Sequence, residues 1–444
     1  MKKYLAVLLA VCFIFCLAAC GNKPTDNGDV TPDNQGEVAP DNQGEVTPDN
    51  GENGENTEKA NLKVGVILIG DENEGYTYAH IKGIQEAAKE LGMSDDQIVW
   101  KYSIPEDATC TETALDLVDQ GCNLVVSNSY GHQSFMQEAA AQNPDVTFVA
   151  MTGDTAADSG LDNFCNAFTH IFESRYVSGV VAGMKVAELI EDGKLTDKNY
   201  DGENVKIGYV GAYPYAEVVS GYTAFFLGIQ SIVPNVTMEV SYTNSWFDIT
   251  MEGAAADALM ADGCVIIGQH ADSTGAPAAV QKLHDAGTVC YSIGYNIDML
   301  PTAPTAALTS ATNVWSVFYK ELFTAMLNGE EIPSDWAKGY DDGAVAITTL
   351  GPSCAAGTAE KVAEVEAALR DGSLKVFDVN TFTVTGETVT SAPCDMTIMD
   401  WATGTVSYQG ETYEAIVDGA FEESTFRSAP YFTLRIDGIV EDAQ

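Results

Sequence analysis

A strand-length apolar run followed by a helix-length stretch recurs down this chain, and that alternation constrains the fold more than any single motif. Residues 63–69 (KVGVILI) are a continuous apolar run, the pattern of a strand buried on both faces. Residues 76–91 then place Ala79, Gly83, Ala87 and Leu91 at helical spacing. A strand at 98–102, a helix at 111–120, a strand at 123–127, a helix at 135–142 and a strand at 146–151 continue the rhythm. After a long helix at about 172–190 it restarts. Strands at 205–211, 237–242, 264–268 and 288–293 alternate with helices at 215–232, 249–261 and 277–286. Two βαβ series of similar length predict an α/β fold of two doubly wound lobes. Beyond about residue 371 come short alternating runs, such as Thr381-Phe382-Thr383-Val384 and Thr405-Val406-Ser407-Tyr408, broken by Gly and Pro. They predict hairpins in a small β-rich C-terminal appendage.

In doubly wound sheets a ligand sits outside the carboxyl ends of the strands. Those ends here carry Asp71, Tyr130, Trp246, Asp248, His270, Asp272, Tyr295 and Asp298. Aromatic, carboxylate and amide side chains are the lining expected of a cleft that stacks a flat ligand and hydrogen-bonds its edges. Trp246 and Phe247 are adjacent at a strand end, where neighbours face opposite ways, so one of the pair is expected in the cleft. His80, near a helix start, either caps that helix or contacts ligand. The chain has no Gly-x-Ser-x-Gly elbow, phosphate-binding loop, Gly-x-Gly-x-x-Gly or His-Glu-x-x-His, so no catalytic activity and no cofactor are expected. Five scattered histidines give His270-Ala271-Asp272 no second cluster with which to hold a metal, and a hydrogen-bonding loop is the expectation there.

The N-terminus sets the compartment. Lys2 and Lys3 precede an apolar run at 4–18, shorter than the ~20 residues of a membrane-spanning helix. The run ends in Leu17-Ala18-Ala19-Cys20-Gly21, which resembles a lipobox. Residues 1–20 therefore read as a lipoprotein signal peptide, with Cys20 acylated as the mature N-terminus. The repeats TPDNQGEV, APDNQGEV and TPDNGENG follow within 21–60. They bury too little apolar surface to offset chain entropy and read as a disordered acidic tether. Against 21 Lys and Arg stand 65 Asp and Glu, a formal net charge of −44, which argues against a nucleic-acid partner. Of 10 cysteines, seven lie outside the leader, with no Cys-x-x-Cys pair. Most are expected to be small core residues, and one or two disulfides are open.

The motifs together resemble the basic membrane protein family, the substrate-binding lipoproteins of ABC transporters that include purine nucleoside receptors. The likeness rests on Gly75-Tyr76-Thr77-Tyr78-Ala79-His80, on Arg175-Tyr176-Val177-Ser178-Gly179, on Asn244-Ser245-Trp246-Phe247-Asp248, on Gln269-His270-Ala271-Asp272 and on Ile293-Gly294-Tyr295 through Asp298. It runs over residues 61–378 and resumes at 424–439. It implies a type I periplasmic-binding-protein fold: lobe 1 from 61–170 and 300–330, lobe 2 from 171–299 and 331–378, a hinge between them, and the appendage at 379–444. It implies a monomer tethered by lipid outside a bacterial cell membrane, handing its ligand to an ABC permease. By motif position a base would be stacked between Tyr76 and Trp246, with Asp71 and Asp298 as acidic contacts and Tyr78 and His80 beside the first ring. The nucleoside-binding branch resembles Phe-Asn at Tyr76-Thr77 and carries a Lys near Asn313, which is itself expected to contact the ligand. Their absence turns the expectation towards a free base such as adenine. A sugar, a signalling molecule or a chemosensory role are the alternatives.

Overall fold

The computed structural model describes residues 61–400 and 405–442. The signal peptide, Cys20 and the tether lie outside the described residues. The first lobe is built from β1 (Val64–Ile67), α1 (Gly75–Glu90), β2 (Ile98–Lys101), α2 (Ala108–Asp119), β3 (Leu124–Ser127), α3 (Gln133–Gln142), β4 (Thr147–Met151) and β5 (Phe164–Thr169). The chain then passes to the second lobe. It forms α4 (Ile171–Glu191), β6 (Tyr200–Asp201), β7 (Asn204–Gly211), α5 (Ala216–Gln230), β8 (Val236–Tyr242), α6 (Ile249–Asp262), β9 (Ile266–Gln269), α7 (Gly275–Asp285), β10 (Tyr291–Tyr295) and β11 (Ala307–Asn313). Four further elements follow: α8 (Trp315–Asn328), β12 (Asp335–Lys338), β13 (Val345–Ile347) and α9 (Thr358–Arg370).

The first sheet runs β12-β5-β4-β3-β1-β2 and is parallel throughout. The second runs β13-β11-β10-β9-β7-β8, with β13 antiparallel to its neighbour. β1 and β7, the first strands of their βα series, each lie between the two strands that follow them. The order therefore reverses at β1/β3 and at β7/β9, and a crevice opens at the carboxyl ends there. Apolar side chains cover both faces of each sheet: Val64, Val66 and Ile84 on one side of the first, Ile67, Val125 and Phe148 on the other. Both lobes therefore have the doubly wound form expected, and the chain has the type I periplasmic-binding-protein fold.

In the second lobe, α4 and α5 approach at two reciprocal glycines. A Cβ on Gly179 would lie 2.1 Å from the Phe225 carbonyl oxygen, and one on Gly228 would lie 2.1 Å from that of Tyr176. Only glycine permits such an approach of backbones.

Three boundaries depart from the sequence expectation. Residues 300–313 were assigned to the first lobe, but β11 pairs with β10 in the second sheet, and only α8 returns to pack against α1. Residues 331–378 were assigned to the second lobe, but β12 extends the first sheet beyond β5. The C-terminal region is not wholly an appendage. Its hairpins lie outside the two main sheets, but Ile439–Glu441 adds a parallel strand to β8, and Phe377, Phe421 and Phe432 join the core around α4 and α5. Non-local pairing decides all three, and local periodicity does not carry it. The chain thus crosses between sheets three times, after β5, β11 and β12. These crossings are tied together: His170 N–H donates to the Lys338 carbonyl at 2.8 Å, Val314 N–H to that of Ala344 at 2.8 Å, and the Thr169 hydroxyl to Asn313 Oδ1 at 2.5 Å. The seven cysteines of the folded part are all free thiols.

Candidate functional site

The crevices of the two sheets face one another, and the amino end of α1 spans the gap. A Cβ on Gly75 would lie 3.1 Å from the Asp272 carbonyl oxygen and 3.5 Å from the Ile297 side chain, so the first turn of α1 touches the loops after β9 and β10. The sequence folds that way because Glu74 is extended and the next residue begins the helix, which aims this turn out of the first sheet.

Tyr76, half-buried in that turn, donates its hydroxyl to the Asn128 carbonyl at 2.5 Å, at the carboxyl end of β3. Burial pushes its phenol well above the usual range, with Glu217 and Tyr295 of the other lobe adding to the effect. His80, one turn on, meets the Tyr76 ring edge-on at 4.6 Å between centroids and stacks on Trp315 at 4.4 Å. Its Nδ1 pairs with the Tyr319 hydroxyl at 2.7 Å, and burial lowers its pKa to about 3, so the ring is neutral. His80 is thus a wall behind Tyr76. Thr77 hydrogen-bonds the Glu74 carboxylate and receives the Asn128 side-chain amide at 3.1 Å. Glu74 is raised by burial, with Asp71 adding to the rise.

From the second lobe come Trp246, His270, Asp272 and Tyr295. Trp246 is half-buried and forms an aromatic group with Tyr213 (5.3 Å) and Tyr215 (6.0 Å), while His270 lies 6.4 Å away. Asp272 accepts from the Asn296 amide at 2.6 Å. Burial raises its carboxyl well above the usual range, helped by Glu74, Glu217 and Glu252. Asn296 also accepts from the Asn313 amide at 3.3 Å, which connects this network to the interlobe crossing at Thr169. His270 pairs with Glu217 at 3.1 Å, and burial, with the Arg175 charge, lowers it to about 4.

Arg175, from the apolar α4, is 2% exposed, donates to the Gln269 carbonyl at 2.6 Å and lies 3.5 Å over the Tyr295 ring. Gln269 in turn donates to the carbonyls of Ala271 and Ser273 at 2.7 and 3.0 Å. The guanidinium thereby holds the loop that presents His270 and Asp272.

Other residues singled out from the sequence take different places. Asp71 accepts from the Asn73 backbone and side-chain amides, both at 2.9 Å, and Asp298 is exposed and accepts from Leu300 N–H at 2.9 Å. Asp248 caps α6, accepting from Thr250 and Met251 N–H. All three carboxylates are engaged by local turns, the commonest use of Asp at such positions. Tyr78 is exposed on α1, 6.0 Å from the Lys82 ammonium. Tyr130 donates to Asp154 at 3.2 Å, at the outer edge of the first lobe's crevice. Glu74 and Glu217 carried no signal in the sequence, and Asn128, Arg175 and Asn296 lay within strand-end or motif segments without being expected to contact ligand.

The model of the Bmp family, described as ABC transporter substrate-binding protein PnrA-like, matches residues 62–372. This chain belongs to that family. It is 32% identical over 319 residues to a purine-binding protein of Brucella abortus, covering 71% of this chain and 83% of that one. It is 28% identical over 310 residues to a putative ABC transporter glucose-binding protein of Haloferax volcanii, covering 69% and 72%. Among solved structures, an ABC transporter solute-binding protein of Aeropyrum pernix superposes with a TM-score of 0.58 at 16% identity, over 73% of this chain and 94% of that one. That likeness bears on fold alone and agrees with the two lobes described above. As a Bmp-family member the chain is an ABC transporter substrate-binding protein. No helix among the described residues is long and apolar enough to cross a membrane.

Proposed function

We propose that this substrate-binding protein captures a neutral purine base of the adenine kind between its lobes, outside the cell membrane, and delivers it unchanged to an ABC permease. One observation carries the reading. The first turn of α1, which carries Glu74 and Tyr76, meets the loop of Asp272, and Asp272 in turn hydrogen-bonds Asn296 and the Trp246 backbone, an aromatic and N–H-accepting surround. The carboxyls of Glu74 and Glu217 act on Asp272, an acidic surround that disfavours a phosphorylated ligand, while Arg175 donates Nη1 to Gln269, lies over Tyr295 and keeps Nε and Nη2 without a partner. Asn313 is engaged by Thr169 and Asn296 rather than free to meet a ribose. The 32% identical purine-binding relative supports the same class.

The energetics suffice. A base has roughly ten heavy atoms, and the best small ligands gain up to ~1.5 kcal/mol per atom. Micromolar affinity needs only ~8 kcal/mol. Calorimetric titration of the mature chain with adenine, adenosine, adenosine monophosphate and glucose tests the reading. Adenine is expected to bind at micromolar concentration or below and the monophosphate not at all. Heat from glucose alone would move the protein to the class that the Haloferax relative's name describes. We further propose that Cys20 carries the lipid anchor. Cys20→Ala should then appear in the medium or persist as uncleaved precursor, whereas stable acylation of that variant would remove the proposal.

A further inference from the structure

The family match ends at residue 372, yet the chain continues for a further stretch that touches both lobes. On the second lobe this stretch is anchored twice. Glu423, 3% exposed, accepts from the Ser220 hydroxyl of α5 at 2.5 Å, and Ile439–Glu441 pairs with β8. Between those anchors the chain reaches the first lobe. Ser428 N–H donates to Asp335 Oδ2 of β12 at 2.9 Å, and the Arg427 guanidinium lies 3.6 Å from Asp154 Oδ2, just beyond β4. The two side chains of this ion pair are only 18% and 9% exposed, so solvent screens them less than a surface pair. A hairpin of the same stretch makes a third contact, from Tyr408 to Asp158.

The turn that carries Arg427 is braced. The Tyr431 hydroxyl accepts from Thr425 and Phe426 N–H at 3.0 and 3.3 Å, and the Phe426 ring stacks on Tyr413 at 4.5 Å. Asp154 is tied to the crevice wall: it is paired in both directions with Gln133 at 3.0 Å and accepts from Tyr130 at 3.2 Å.

We propose that residues 405–441 form an interlobe strap and that Arg427 is its positioning residue, latching the first lobe through Asp154 and so setting how long the closed cleft holds its ligand. A contact made in the closed arrangement and lost on opening shifts the population towards closure by its own free energy, whatever the ligand. Its loss then speeds dissociation and, because the ligand-free cleft also opens, leaves association equal or faster. The strap does not depend on the ligand being a purine.

The test has a ligand-free arm and a kinetic arm, on the mature full chain. In solution scattering without ligand, Arg427→Gln and Asp158→Ala should each raise the radius of gyration above that of the parent, and Arg427→Lys should raise it less than Arg427→Gln. In stopped flow with adenine, Arg427→Gln should speed dissociation about 2- to 5-fold, the range of a partly screened ion pair, with association equal or faster. Added salt should speed dissociation of the parent and leave that of the variant nearly constant. Unchanged scattering in both variants, or a variant that slows association while dissociation stays the same, overturns the strap. If adenine does not bind at all, the scattering arm still decides the strap, and the failure falls on the ligand reading alone. Asp158→Ala, a change at an exposed turn, keeps the test alive should Arg427→Gln fail to fold.

Discussion

Trp246 is the largest aromatic side chain at the strand ends of the second lobe, and its role is separable from that of the carboxylates around it. Stacking of a base on an aromatic is worth ~1–3 kcal/mol by truncation. Trp246→Ala is therefore expected to weaken adenine about 5- to 150-fold in a calorimetric titration, while Trp246→Phe keeps much of the affinity. The ring also packs against Tyr213 and the cores on either side of it. A denaturation curve run beside the titration distinguishes stacking from packing: lost stability with unchanged affinity would make Trp246 a core residue. Asp298→Asn is the control, because its carboxylate is exposed and caps its own turn at Leu300. It should leave affinity within 2-fold, and a large loss there would return Asp298 to the ligand. Asp298 also shows what single residues conceal. An Asp after a strand suits both a turn cap and a ligand contact, and the sequence pattern is the same for each. Trp246 and Asp272 were expected at the crevice because strand ends at a chain reversal face it, and Tyr76 because the family resemblance implies it. Glu74 was not, because only the approach of the two lobes brings it to the Asp272 loop, while Asn296 lay in the expected strand-end lining without a role of its own.

The elements most readable from the sequence are those whose pattern is local. Strands β1, β3, β4 and β7 are apolar runs, and α1, α5 and α6 carry a helical period, so each falls close to its expected span. Strands β11 and β12 were placed in the wrong lobe, because their lobe is decided by partners far away in sequence, whereas the segment of α8 fell in the first lobe as expected. The crossings after these two strands belong to the interlobe joint, so the least legible segments are the ones that connect the lobes. The first turn of α1 is the element on which closure rests. Gly75→Ala adds a methyl facing the Asp272 carbonyl at 3.1 Å and Ile297 at 3.5 Å, contacts made between lobes rather than within one. The helix itself tolerates Ala better than Gly. The variant should therefore keep or raise its thermal midpoint while binding adenine several-fold more weakly. Equal loss of stability and affinity would mean that the turn is buried in the open form as well.

Acidity acts on the whole molecule, and its sign can be worked out from groups within the fold. His80 and His270 are held neutral, with pKa values of about 3 and 4 against an ordinary 6.5, because burial disfavours their charge. Their contribution to stability is present above about 6.5 and is lost as pH falls towards those values. Two carboxyls work in the opposite direction. Burial lifts Glu173 and Glu423 from 4.5 to about 7, with Asp341 and Asp342 adding to the rise for Glu173, and Glu217 and Glu173 itself for Glu423. Hydroxyls of Ser220 and Ser424 meet Glu423 and lower it in part. Folding takes up protons at these carboxyls between their unfolded and folded values. Their contribution therefore declines as pH rises from about 4.5 through about 7 and is lowest above that. The net charge of −44 adds self-repulsion that also eases as pH falls. The parent's pH curve mixes all of these, but Glu423→Gln isolates one. Glutamine keeps a side chain of the same shape and cannot ionise, so it resembles the protonated form that the strap's anchor favours. Urea unfolding should find the variant and the parent of similar stability at pH 5, and the variant more stable at pH 8 by about 1–3 kcal/mol. A variant less stable by the same margin at both pH values would show instead that Glu423 is ionised in the fold and that its charge, not its burial, holds the C-terminal stretch to α5.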